Sequence, residues 1–167
     1  MTSPALIGLA VGIGLLCSSA VAGKRPTLVW NASASAPIGL YLISCQPPRL
    51  ADHVLVRLPP RLAALAARRG YLARGAYLIK PVAARHGDQV CRLGTHISVR
   101  GRLAARAQLR DLLGRGLPIW RGCHKLQPGE LFLLAAASDS FDSRYFGATS
   151  GHAARAVLVW SLRRGHS

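Results

Sequence analysis

Acidic residues are scarce in this sequence, which has 6 Asp and Glu against 22 Lys and Arg and a formal net charge of +16. Lysine is scarce too, since only Lys24, Lys80 and Lys125 stand among 19 arginines. Charged residues make up 17% of the chain and hydrophobic residues 50%, which excludes a disordered polyelectrolyte. The length of 167 residues suits one domain with a real core and excludes two large domains.

Aromatic residues are also few, at 6%, and the cations are scattered along the chain. A nucleic-acid surface combines a clustered basic patch with exposed aromatic side chains. Here Tyr77, Trp120, Phe132 and Trp160 lie in apolar runs and are predicted to belong to the core. We therefore expect no specific nucleic-acid partner, and the basic surface also suits anionic lipid head groups.

No charged side chain precedes Lys24, and residues 4–23 form an apolar run long enough to cross a bilayer as a helix. We predict a transmembrane signal anchor there, followed by one domain over residues 24–167. The alternative is a cleavable signal, because Ala20-Val21-Ala22 resembles a small-x-small cleavage site. Lys24 and Arg25 follow the span, and by the positive-inside rule they favour a cytoplasmic domain.

Beyond this segment the pattern predicts a mainly β fold of short antiparallel strands with one or two short helices. Ten prolines and seventeen glycines separate short apolar runs. A helix is predicted after Pro59-Pro60, because Leu62 and Leu65 follow helical spacing and Gly70 suits its end. Residues 102–121 are expected to form a helix and then a loop. Strands are predicted at Thr27–Trp30, Gly39–Ile43, His53–Leu58, Tyr77–Lys80, Gln89–Arg92, His96–Val99, Glu130–Ala135 and Arg155–Trp160.

Two residues suggest nucleophilic chemistry. Ser35 lies among small residues and two residues before Pro37, a context that favours extended backbone and an accessible hydroxyl. A serine becomes a nucleophile only beside a base. Lys80 ends the apolar run Tyr77-Leu78-Ile79, and desolvation there lowers a lysine pKa toward the working range of a base. Arginine stays protonated, so a lysine at such a place is informative in an arginine-rich chain.

Three motifs together resemble the signal peptidase family with a serine and lysine dyad. They are Ser35-Ala-Pro-Ile-Gly-Leu-Tyr41 after an apolar span, Tyr77-Leu-Ile-Lys80 with Gly87-Asp88 following, and Ser140-Phe-Asp-Ser-Arg-Tyr-Phe-Gly147. The first motif is closest to the conjugative-transfer (TraF-type) branch, since ordinary leader peptidases have a methionine after the serine. The last motif is shorter than theirs, because it lacks the Gly-Asp-Asn-Arg that precedes Asp-Ser-Arg.

The resemblance implies roles for individual residues. Ser35 matches the nucleophile and Lys80 the general base. Ser33 falls where leader peptidases have a hydroxyl that assists the oxyanion, and the backbone N–H of Ser35 would be the main donor. Asp142 falls where the conjugative enzymes have an acidic residue implicated in activity, with Asp139 as a weaker alternative. An ion pair of Asp142 with Arg144 would hold this loop, and a purely structural pair is the alternative reading.

Other constellations are weaker. A serine triad with Asp142 would need a histidine as base, and the candidates are His86, His96, His124 and His152. None of them lies in a recognisable nucleophile motif. A zinc site at Cys91, Cys123 and His124 lacks a close cysteine pair, so we expect no metal and no cofactor. In an exported domain, Cys45, Cys91 and Cys123 are expected to form one disulfide and leave one thiol.

These residues predict a membrane-anchored serine endopeptidase that processes an exported precursor, most simply a pilin or another part of a conjugation apparatus. At 3.3 to 3.6 Å per residue, even an extended tether keeps Ser35 within about 40 Å of the span. The site is therefore expected at the periplasmic face of the inner membrane, against the charge rule at Lys24 and Arg25. The alternatives are a general leader peptidase and a non-catalytic basic protein, either of the envelope or one that binds nucleic acid.

Overall fold

The computed structural model describes residues 27–33, 35–150 and 153–161. The predicted anchor at residues 4–23, with its small-x-small stretch, lies outside these residues. No helix in the described part of the chain is long and apolar enough to cross a membrane. The description that follows therefore concerns the domain beyond that segment.

Short strands dominate the described residues, as expected for a mainly β protein. Two helices accompany them, α1 at Pro60–Arg68 and α2 at Ser143–Phe146. The strands are β1 (Leu28–Asn31), β2 (Gly39–Ser44), β3 (His53–Val56), β4 (Leu78–Arg85), β5 (Gln89–Leu93), β6 (His96–Val99), β7 (Arg102–Arg106), β8 (Gly122–Lys125), β9 (Glu130–Leu133), β10 (Thr149–Ser150) and β11 (Ala154–Ser161).

The strands form two antiparallel sheets. A seven-stranded sheet has the order β1-β2-β11-β3-β4-β9-β10, and a four-stranded sheet has the order β7-β6-β5-β8. Strand β4 lies between β3 and β9 in the larger sheet, with Lys80 opposite Val54. The centre of this sheet is buried on both faces, so Leu78, Ile79 and Lys80 are all buried. This position makes Lys80 an interior residue.

Helix α1 begins and ends where the sequence predicts. Pro60 occupies the first turn, where its missing N–H is not needed. Ala66 is buried, and Leu62 and Leu65 pack against the main core. Gly70 follows with φ +72°, a left-handed conformation that glycine adopts without a steric penalty.

Gly39 of the Pro-Ile-Gly-Leu-Tyr motif has a structural reason for its identity. Strand β11 crosses β2 here at a bulge between Leu158 and Trp160. A Cβ at Gly39 would overlap the carbonyl oxygen of Trp160, so only glycine lets the two backbones approach. The motif thus fixes the strand that follows the Ser35 loop.

Two expectations about local structure are wrong, and one strand was not predicted. Strand β4 continues through Pro81 to Arg85, because Pro81 still accepts a hydrogen bond from Leu134 N through its carbonyl. Residues 102–121 contain strand β7 and an irregular stretch, and no helix. Strand β8 was not predicted, because its four residues are exposed and polar or small. Its place in the sheet comes from pairing with β5 and from the Cys91–Cys123 disulfide.

The burial of the aromatic side chains also differs in part from the prediction that they belong to the core. Phe132 is in the core, and Tyr77 and Trp120 are partly buried against core clusters. Trp160, however, is 54% exposed and lies beside the 48% exposed Trp30, with ring centroids 5.7 Å apart. The prediction of Trp160 as a core residue is therefore wrong. An apolar face on β1, β2 and β11 consists of Leu28, Trp30, Leu42, Val157 and Trp160.

Candidate active site

The loop between β1 and β2 carries Ser35 and is organised by Asn31. The buried Asn31 Nδ2 donates to the carbonyl oxygens of Ser33 (2.9 Å), Ala36 (3.1 Å) and Pro37 (3.1 Å). Its Oδ1 accepts from Ser33 N (3.1 Å) and Ser33 Oγ (2.9 Å). Tyr41 fixes the far end of the loop by donating from its hydroxyl to Pro37 O. One asparagine therefore satisfies most of the polar groups of this loop.

Ser33 and Ser35 share a hydrogen bond of 3.1 Å between their hydroxyl oxygens. A hydroxyl has one proton, and Ser33 uses its own on Asn31. Ser35 is therefore the donor to Ser33 in this arrangement. The contact places the predicted nucleophile and the predicted oxyanion residue side by side on the half-buried surface of the loop.

Lys80 is 3% exposed, in the middle of β4. Burial lowers the pKa of its ammonium from 10.5 to about 8. The negative charges of Asp142 and Asp139 act against this lowering, and the positive charge of Arg144 adds to it. A lysine with this pKa is partly neutral at physiological pH, which a general base requires. The environment that the apolar run predicts is therefore present.

Ser140 is the hydrogen-bond partner of Lys80. Lys80 Nζ donates to Ser140 Oγ at 2.6 Å, and both groups are buried. Ser140 belongs to the loop between β9 and α2, sixty residues further along the chain. This contact orients the amine, because a lysine side chain alone has several rotatable bonds.

Asp142 and Arg144 form a buried ion pair below Ser140. Asp142 is fully buried, and its carboxylate accepts from Ala135 N (3.0 Å), Arg144 N (3.0 Å) and Arg144 Nη1 (2.9 Å). The bond to Arg144 N also caps helix α2. Burial raises the pKa of Asp142, and the Arg144 guanidinium opposes that rise. The expected ion pair is thus present, and it fastens the loop that carries Ser140.

A cleft of about 830 Å³ brings most of the predicted site residues together. Ser33, Ser35, Lys80, Asp139 and Ser140 all line it. Asp142 and Arg144 lie behind its wall and do not line it. The rest of the wall is mixed. Its polar and charged residues are Asn31, Arg69, Tyr71, Gln108, Asp111 and Arg115, and its small or apolar residues are Trp30, Ala32, Leu72, Ala73, Ala76, Tyr77, Leu78, Leu112, Leu113, Leu117, Ala137, Phe141 and Tyr145.

The two predicted catalytic groups face one cleft without a direct bond. Among the described residues, Lys80 bonds to Ser140 and Ser35 bonds to Ser33, and no hydrogen bond joins Ser35 to Lys80. Catalytic hydrogen bonds are often loose before substrate binds. A nucleophile, a lysine of lowered pKa and a second hydroxyl in one cleft can together perform acyl transfer.

The competing constellations do not assemble here. Within the described ranges no histidine lines the cleft. His124 pairs with Glu130 at 2.6 Å, and His86 contacts Leu126 O, both outside the cleft. His152 lies outside the described residues. Cys91 and Cys123 form a disulfide, and Cys45 keeps an exposed free thiol, so the expectation of one disulfide among three cysteines is confirmed.

Three contributors to the site have no predicted role in the sequence. Ser140 is part of a recognised motif, but its distance of sixty residues from Lys80 gives no local signal of their contact. Asn31 has a weak signal, because asparagine before a loop commonly bonds to nearby backbone. Arg92 looks like any strand arginine, although its side chain is fully buried.

Comparison with known proteins places these features in one family. The sequence matches the family described as "Signal peptidase, peptidase S26" over residues 2–160. It is 34% identical over 146 residues to "Plasmid transfer protein TraF" of Escherichia coli, which covers 78% of this chain and 82% of that protein. It is 34% identical over 154 residues to "Conjugal transfer protein TraF" of Agrobacterium tumefaciens (strain 15955), covering 85% and 84%. It is 32% identical over 158 residues to "Probable conjugal transfer protein TraF" of Sinorhizobium fredii, covering 86% and 81%.

Proposed function

Because the chain belongs to the signal peptidase family, peptidase S26, we propose that it is a serine endopeptidase in which Ser35 is the nucleophile and Lys80 the general base. The observation that carries this proposal is the cleft shared by Ser35 and a buried Lys80 with a pKa of about 8. Asparagine and tyrosine anchors hold the serine loop, and Ser140 orients the amine.

The reaction follows from these groups. Neutral Lys80 takes the proton of Ser35, whose Oγ attacks the carbonyl carbon of the scissile peptide bond. The backbone N–H of Ser35 donates to the developing oxyanion, and the hydroxyl of Ser33 assists once it turns its proton away from Asn31 Oδ1. Protonated Lys80 then gives the proton to the leaving amine, and the acyl-enzyme remains on Ser35. Water, or an amine of the substrate, resolves that ester with Lys80 again as base.

The substrate we propose is an exported precursor with small residues at the cleavage point. Alanines 32, 73, 76 and 137 form part of the cleft wall, an apolar lining that is compatible with small substrate side chains. The relatives are named plasmid or conjugal transfer proteins. We extend that setting to this chain and propose the pilin or another conjugation component as the precursor, with a general leader peptidase as the alternative.

The test of this function is cleavage of the candidate precursor by the full-length protein in detergent micelles. We expect Ser35→Ala to reduce cleavage about 10⁴-fold or more, to the background rate, because it removes the atom that attacks. Ser44→Ala, a change at a serine outside the cleft, is the matched control. Undiminished cleavage by the Ser35→Ala protein would contradict the proposal. Precursor mobility on a gel measures both.

We propose further that residues 4–23 anchor the protein in the inner membrane with the catalytic domain in the periplasm. The apolar face around Trp30 and Trp160 supports this arrangement, because β1 begins four residues after Lys24 and Trp30 also lines the cleft. Aromatic side chains of this kind favour the interface between lipid and water. A precursor that leaves the bilayer would then meet the cleft directly.

This topology predicts an active alkaline phosphatase fusion after residue 160, and amino-terminal sequencing of the membrane fraction that begins at or near Met1. In vesicles with brominated lipids, we expect quenching of Trp30 and Trp160 but little quenching of Trp120, which packs on Phe132. Single-tryptophan variants separate the three signals. An inactive fusion would overturn the orientation, and a soluble protein that begins at Gly23 would overturn the anchor.

A further inference from the structure

Arg92 is a buried arginine that no carboxylate neutralises. It lies on β5 and is 1% exposed. None of the ion pairs among the described residues includes it. Its donors reach only carbonyl oxygens: Nε donates to Gly94 O (3.1 Å), and Nη1 donates to Pro118 O (3.4 Å) and to Arg144 O (2.5 Å). Nη2 is buried without a partner in the described part of the chain.

Such a residue is not explained by stability. A buried charge without a counter-ion is costly, and well-packed apolar residues of similar volume often give an equal or more stable protein. A methionine would fill the same space without an unsatisfied donor. It would lose all three bonds to carbonyl oxygens, and the one that leads toward the cleft is the bond to the carbonyl of Arg144 in α2.

The Arg144 contact leads directly to the candidate base. The side chain of Arg144 donates to Ala135 O (2.6 Å), Ala137 O (2.9 Å) and Ser140 O (3.5 Å) as well as to Asp142. It thereby holds the whole segment from β9 to α2. Ser140 of that segment binds Lys80 Nζ. Arg92 is thus linked to Ser140, the residue that orients Lys80, by two contacts: its own bond to Arg144 O and the bond from the Arg144 side chain to Ser140 O.

Strand β5, which carries Arg92, is held by neighbouring strands on both edges. Its neighbour Cys91 is bonded to Cys123 of β8, directly opposite in the register. On the other side, β5 pairs with β6 from Val90 to Leu93. The guanidinium therefore projects from a strand that is fixed on both edges.

We propose that Arg92 is a positioning residue for Lys80: by holding the Arg144 carbonyl, it keeps the Ser140 segment closed over the amine and keeps water away. The inference rests on the proposed function of Lys80 as the base. Arg92 touches neither the cleft nor the two catalytic groups, so its effect must pass through Arg144 and Ser140.

The experiment compares Arg92→Met and Arg92→Lys in the full-length protein with Val90→Ala, a core change on the same strand at a side chain that cannot donate a hydrogen bond to the Arg144 carbonyl. One readout is the pH dependence of lysine acylation, followed for each peptide by mass spectrometry. The chain has only three lysines, and the exposed Lys125 serves as reference. The other readouts are kcat and KM on the precursor, and unfolding by denaturant.

With Arg92→Met we expect the acylation midpoint of Lys80 to rise by about one pH unit, because admitted water relieves the desolvation that lowers its pKa. The facing charges of Asp139, Asp142 and Arg144 remain in place. At pH 7 kcat should fall about tenfold with KM unchanged, because about tenfold less neutral amine is present. Arg92→Lys should show a smaller shift, and unfolding of Arg92→Met should occur at the same or higher denaturant concentration.

Two results would overturn the inference: an unshifted Lys80 midpoint in both Arg92 variants, or an equal shift in Val90→Ala. If Arg92→Met does not fold, the Arg92→Lys midpoint decides the question alone. The acylation readout needs no catalysis. A wild-type protein that cleaves nothing would therefore refute the proposed function, while the acylation data still decide whether Arg92 controls the surroundings of Lys80.

Discussion

Replacing Lys80 with arginine is expected to lower precursor cleavage about 10³-fold or more, because arginine keeps its proton and cannot act as a base. Lys80→Met should have the same effect while it removes a buried charge, so its free energy of unfolding should stay near that of the wild type or rise. Lys125→Arg, at an exposed lysine, is the matched control and should cleave normally. Substantial cleavage by Lys80→Arg would show that another group is the base.

The same residue sets the pH profile of the wild-type protein. A base with a pKa of about 8 is neutral above that pH, so kcat/KM should rise from pH 6 to 9 with its midpoint near 8. The effect on stability has the same direction. The folded state releases the Lys80 proton more readily than the unfolded chain does. The free energy of unfolding should therefore increase as the pH rises from 8 to 10.5. Lys80→Met should lose this gain, which denaturant titrations at several pH values can measure.

The sequence predicted those features that depend only on residues adjacent in the chain. The isolated lysine in an apolar run predicted a buried amine, and Lys80 is buried in an interior strand of the larger sheet. Pro59-Pro60 and Gly70 predicted both ends of α1, since these residues restrict the backbone by themselves. A strand was predicted to begin at Gly39, and β2 begins there.

The sequence was less informative where tertiary contacts decide. Pro81 interrupts the apolar pattern, yet β4 continues because the carbonyl of Pro81 still accepts a hydrogen bond from Leu134 N, next to β9. Strand β8 exists because β5 and a disulfide hold it. Trp160 has the apolar neighbours of a core residue, but it lies beyond the bulge of β11, where that strand pairs with β2 and no longer with β3. Such outcomes depend on which strands become neighbours, and a local pattern does not contain that information.

At the site too, the sequence alone does not predict the roles of Ser140, Asp142 and Arg144. Their motif predicts an acidic residue important for activity, but it does not distinguish a catalytic acid from a structural one. The structure places Asp142 behind the cleft wall, where it caps α2 and pairs with Arg144. Asp139, the weaker candidate, lines the cleft itself. Stability and activity of the same variants can separate these roles.

The prediction with the largest effect on stability concerns Asp142. Asp142→Asn should lower the free energy of unfolding by about 3–5 kcal/mol, because it leaves the buried Arg144 guanidinium without its counter-ion. Asp88→Asn is the matched control. Its partner Arg100 is half-exposed, so a loss of about 1 kcal/mol or less is expected. Equal losses in the two variants, measured by denaturant titration, would contradict the assignment of Asp142 to a buried pair.

A double replacement, Asp142→Leu with Arg144→Met, then separates structure from chemistry. Apolar residues of similar volume should recover most of the lost stability, since neither leaves a buried charge unpaired. Cleavage should nevertheless stay low. Without Arg144 the carbonyls of Ala135 and Ala137 lose their donor, and the Ser140 segment is no longer held over Lys80. A double variant that is both stable and fully active would show that the ion pair serves the fold alone, and that Lys80 needs no support from this loop.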